Sequence, residues 1–218
     1  MSRLAGHFEN DVILNAESAI DKHLGGELGR LFSLGLYPGK IGSNQIVLND
    51  SAAHSDFKGG IIVGLGVQGE LSSFYLINSV EKGVARYLTI KKQQESGAGN
   101  AAGFHLNGIS VIAIANNYGG LSTDNSIRAI IAGVQRANRN VQQTYHGTIR
   151  GIEEIEIIEL YNDRALSILK TIQRLNDDDN WSKRKVGNYS IQRSDLGHVA
   201  STDDCGQSLL PGNRNSNV

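Results

Sequence analysis

Ile109-Ser110-Val111-Ile112-Ala113-Ile114-Ala115 runs almost without a polar break into Asn116-Asn117-Tyr118-Gly119-Gly120 and then Ser122. A nearly continuous apolar run of this length reads as a central strand covered on both faces, the habit of parallel sheets. The glycine pair turns the chain. Ser122 is then positioned as an N-cap, because its hydroxyl can accept from the free amides of a helix's first turn. The helix it opens carries Ile127, Ile130, Ile131, Val134, Ala137 and Val141 on one face. Strand, glycine turn and capped helix together predict an α/β sheet.

The same pattern recurs outward from this stretch. Gly59-Gly60-Ile61-Ile62-Val63-Gly64-Leu65-Gly66 reads as a buried strand running into a glycine turn, and 71–95 as a helix capped by Ser72 or Ser73. Upstream, Asp11-Val12-Ile13-Leu14-Asn15 is expected to be a strand, 19–34 a helix broken at Gly25-Gly26, and Gln45-Ile46-Val47-Leu48 another strand. Downstream, 152–158 reads as a strand and 163–175 as a helix. The alternation predicts a three-layer mixed sheet with helices on both faces. After Leu175 the apolar period is lost, so residues 1–176 are expected to form the domain and 177–218 a polar tail or linker. A chain of this make-up reads as a piece of something longer.

Composition narrows the function. The formal net charge is -1, which argues against a general nucleic-acid binder, since such proteins need a cationic face. No apolar run is long enough to span a bilayer, and the first residues carry no signal-peptide core, so a cytoplasmic, non-membrane protein is expected. Cys205 is the single cysteine, so no intramolecular disulfide and no multi-cysteine metal site can form. The six histidines are dispersed without metal-binding spacing, so neither metal nor cofactor is expected. Cys205 and His198 lie in the polar tail and read as incidental. Glu153, Glu154, Glu156 and Glu159 alternate with isoleucines and read as the solvated face of a strand. Asp177-Asp178-Asp179 reads as a solvated helix end and Lys183-Arg184-Lys185 as a flexible basic patch.

Two glycine groups invite a phosphate-binding interpretation. Gly64, Gly66 and Gly69 match G-x-G-x-x-G between a strand and a helix. Glu70 stands at the would-be phosphate position, however, and no acidic strand end follows at the ribose position. These three are read as a structural glycine turn. Tyr118-Gly119-Gly120 before the Ser122-capped helix is the better anion-site candidate, because the helix N-terminus offers unpaired amides. Asp124 in the first turn would compete with an anion there.

Several blocks together resemble a known family. They are Gly6-His7-Phe8 with Asp11, Ala16-Glu17 and Asp21; Leu34-Gly35-Leu36-Tyr37-Pro38-Gly39-Lys40-Ile41-Gly42; Ile62-Val63-Gly64-Leu65-Gly66; Tyr118-Gly119-Gly120-Leu121-Ser122; and Ile158-Glu159-Leu160-Tyr161-Asn162-Asp163-Arg164-Ala165. Over residues 1 to about 175 the chain resembles the domain found beside caspase-like CHAT protease modules in large bacterial proteins. That domain is similar in turn to the N-terminal domain of leucyl aminopeptidases, with its macro-domain-like fold. The resemblance implies a non-catalytic regulatory or interaction domain of a bacterial caspase-like protease system, with a role in anti-phage defence and a protease module or assembly subunit as protein partner.

A weaker resemblance is to macro domains that bind ADP-ribose. Val12-Ile13-Leu14-Asn15-Ala16 is similar to the strand ending in Asn-Ala-Ala-Asn, with Glu17 and Ser18 standing where that signature continues. Gly25-Gly26 resembles the first ligand loop and Asn117-Tyr118-Gly119-Gly120 the second. This alternative implies a nucleotide-derived ligand sensor or hydrolase, with Asn15, Gly25, Gly26, Asn117, Tyr118, Gly119, Gly120 and Ser122 at the ligand. A carboxylate at Glu17 beside a bound diphosphate would repel it. No catalytic residue is assigned, because the chain holds no complete catalytic constellation.

Overall fold

Strand β1, Ser2–His7, lies at the centre of a five-stranded sheet. The computed structural model describes residues 1–49, 57–97, 107–115 and 120–177. The other strands are β2 (Asn44–Leu48), β3 (Gly59–Gly64), β4 (Gly108–Ile112) and β5 (Glu154–Ile158), in the order β2-β3-β1-β4-β5. Only β2 runs antiparallel, against β3. β1 pairs in parallel with β3 and β4, and β4 with β5. The carboxyl ends of the four parallel strands therefore share one edge of the sheet.

Side-chain alternation sorts the core into layers. Leu4, Ile61, Val63, Ile109 and Val111 face α3 (Ser73–Gly97) and α4 (Thr123–Thr144) in the larger cluster. Ala5 and Ile62 face the other way, against Ile20 of α1 (Asn15–His23) and Leu28 of α2 (Glu27–Ser33). Helix α5, Asn162–Asp177, closes the β5 side by packing Ile168 and Leu175 on Ile127 and Ile131 of α4. The mixed sheet with helices on both faces is as expected. Among the described residues no helix is long and apolar enough to cross a membrane.

The N-terminal third departs from the sequence reading. The expected strand at 11–15 is absent: 11–14 has no regular structure, and Asn15 opens α1 with φ +46. The strand is instead Ser2–His7, which alternation had not marked because Gly6 and His7 interrupt the apolar run. Val12 and Leu14 are exposed, so the run that looked like a core strand is surface. The expected break at Gly25-Gly26 is real, with φ +64 and +82 joining α1 to α2. The strand read at 109–115 ends at Ile112, and Ala115 turns away with φ +62. The helix read at 163–175 extends to Asp177. Residues 178–218, most of the expected tail with Cys205, His198 and the basic patch, lie outside the described residues.

Segment 37–43 folds over the end of β3. Gly66 N donates to Gly39 O at 2.7 Å, Gly64 N to Ser43 O at 2.9 Å, and Glu9 N to Gly66 O at 2.8 Å. Ser79 of α3 donates its hydroxyl to Gly64 O and accepts from Gly42 N. A Cβ on Gly64 would collide with the Lys40 carbonyl and Ser43 Oγ, and one on Gly66 would meet Ile41. Gly64→Ala is therefore expected to destabilise the fold by about 1–3 kcal/mol, the range for forced overpacking. Chemical denaturation measures this, and each kcal/mol should lower the melting temperature by about 2–4 °C.

Candidate functional site

Chain direction makes the carboxyl edge the place to look. The chain leaves β1 toward β2 and β3, then returns past β1 to β4 and β5, so the order reverses beside β1. Open α/β sheets present ligands in the crevice outside the strand ends at such a reversal. Segments 8–14 after β1, 65–72 after β3, and the described residues 113–115 and 120–122 between β4 and α4 lie there.

The sequence-read ligand residues divide by position. Gly120, with φ +78, and Ser122 lie on this edge; the Ser122 hydroxyl accepts from Asn125 N at the start of α4. Asp124 in that first turn is paired with Arg128 at 2.7 Å. Asn15 lies on the same edge, two residues before Glu17, which touches His7 at the end of β1. Gly25 and Gly26 do not join them. Ile20 and Leu24 lie over Gly60 near the amino end of β3, so α1 runs away from the carboxyl edge and its glycine turn sits at the opposite one. The turn joins α1 to α2. Asn117, Tyr118 and Gly119 lie outside the described residues. Gly64 and Gly66 are covered by segment 37–43, whereas Gly69, φ +90, has open space around it.

One polar cluster went unnoticed in the sequence. His7 and Glu17 are 4% and 7% exposed. Imidazole Nδ1 lies 3.0 and 3.2 Å from the two Glu17 carboxylate oxygens. Tyr37 donates its hydroxyl to Glu17 Oε1 at 2.8 Å. The His7 and Tyr37 rings meet edge to face at 4.7 Å, and Phe32 of α2 stands 6.0 Å from His7. Glu17 therefore faces inward to His7 and Tyr37, and the expected repulsion of a diphosphate is replaced by an internal hydrogen-bond role. The signal was present: Gly6-His7, Ala16-Glu17 and Tyr37-Pro38-Gly39 are three separate blocks that meet here. No period could show it, because one residue ends a strand, one lies in a helix and one in a turn. Among the described residues no group of three or more histidine, cysteine, aspartate or glutamate side chains could hold a metal ion.

The rim of this edge is apolar. Val12 and Leu14 follow β1, Leu34 and Leu36 follow α2, Val67 follows β3, Phe74 and Tyr75 open α3, and Leu160 and Tyr161 follow β5; all are exposed. Phe32 within α2, Leu166 within α5 and Tyr145 just past α4 are exposed as well. Single apolar residues are ordinary on a surface, and contiguous apolar patches are the ones that mark interaction sites.

This architecture is macrodomain-like. No protein-family model matches the sequence. No curated protein sequence matches it either. Among solved structures the chain is similar to the Oceanobacillus iheyensis macrodomain with MES bound, at 11% identity and TM-score 0.50, covering 81% of this chain and 85% of that one. A glycine-to-valine mutant of that macrodomain with ADPR gives 10% identity and TM-score 0.48, covering 81% and 87%. The bottromycin maturation enzyme BotP gives 10% identity and TM-score 0.41, covering 80% of this chain and 30% of that one.

Burial first, and then the Glu17 charge and hydrogen bond, push the Tyr37 phenol far above its ordinary range. A group whose folded-state value is raised stabilises the fold fully below its unfolded value. That contribution is lost as pH rises past about 10, where the unfolded phenol ionises. Wild-type stability is therefore expected to fall more steeply above that point than that of Tyr37→Phe. At neutral pH Tyr37→Phe should cost about 1–3 kcal/mol, because Glu17 loses a buried donor. Urea denaturation across the alkaline range reads both effects.

Proposed function

We propose that this chain is a non-catalytic interaction domain serving a bacterial caspase-like protease system, with its carboxyl rim as the docking surface. The observation that carries this reading is the gathering of exposed apolar side chains on that rim. The blocks shared with CHAT-associated domains supply the partner class, a protease module or an assembly subunit, and with it a role in anti-phage defence. The test uses a bacterial caspase-like CHAT protease and measures affinity by calorimetry. Leu36→Glu combined with Leu160→Glu should weaken binding by about tenfold or more, as hot-spot losses do. Tyr145→Glu, on the opposite edge, should leave it unchanged. Equal affinity for all three proteins would remove the rim from the interface.

A second reading keeps the edge and changes the occupant. The macrodomain-like fold and the partial positive charge of the N-terminus of α4 favour a nucleotide-derived ligand, with its anionic part near Gly120 and Ser122. The solved macrodomain mutant with ADPR makes ADP-ribose the first candidate. A ligand at 100 times its dissociation constant should stabilise the fold by about 2.7 kcal/mol. Gly120→Glu, which adds bulk and negative charge, should abolish that shift in a still-folded protein. Release of ADP-ribose from a modified protein would convert the sensor into a hydrolase.

A further inference from the structure

We draw no further inference here: the strongest candidate, the surface patch on the outer side of α3 and α4 where Lys82, Arg136 and Arg139 are exposed, carries nothing because nothing in the structure shows what covers it.

Discussion

Everything at the carboxyl edge depends on the close backbone contact between segment 37–43 and the end of β3. Two glycines make it possible: a side chain at Gly64 would strike the Lys40 carbonyl, and one at Gly66 would strike Ile41. With the chains this close, Gly64 and Gly66 find backbone partners in Ser43 and Gly39, and Ser79 fastens the arrangement to α3. The contact fixes where Tyr37 stands. Tyr37 holds Glu17, Glu17 holds His7, and His7 ends the central strand. A turn and a strand end, remote in sequence, thus determine the orientation of one imidazole.

The G-x-G-x-x-G spacing at 64–69 is genuine, and so is its place between a strand and a helix, and the protein's own backbone packs against its first two glycines. The glycines serve chain-to-chain approach. The same physical requirement, absence of a Cβ, underlies both uses, which is why spacing alone could not separate them.

The sheet was legible where a doubly buried strand is also continuously apolar. β3 and β4 stand out as apolar runs, and the helices after them show a clear buried stripe closed by Ser72 and Ser122. The reading failed at β1 because Ser2, Arg3, Gly6 and His7 give that strand no apolar continuity, even though its centre is fully buried. It was drawn instead to 12–14, whose apolar residues belong to the exposed rim. An exposed apolar stretch resembles core when composition alone is consulted. Ser122 caps α4 as its side-chain chemistry suggested, while the meeting of His7, Glu17 and Tyr37 joins three elements that no local pattern connects.

The central place of the first strand also bears on synthesis. Ser2 pairs with Gly59 on one side and with Ile109 on the other. A chain made from its N-terminus at about 5–20 residues per second must keep this strand available for several seconds before β4 emerges. Contacts of such sequence separation also slow the folding of finished chains. A short strand interrupted by serine, arginine, glycine and histidine is a poor template for premature self-association. The polar residues that concealed β1 from a reading by hydrophobicity therefore suit a segment that must wait, unpaired, for the middle of its own sheet to be made.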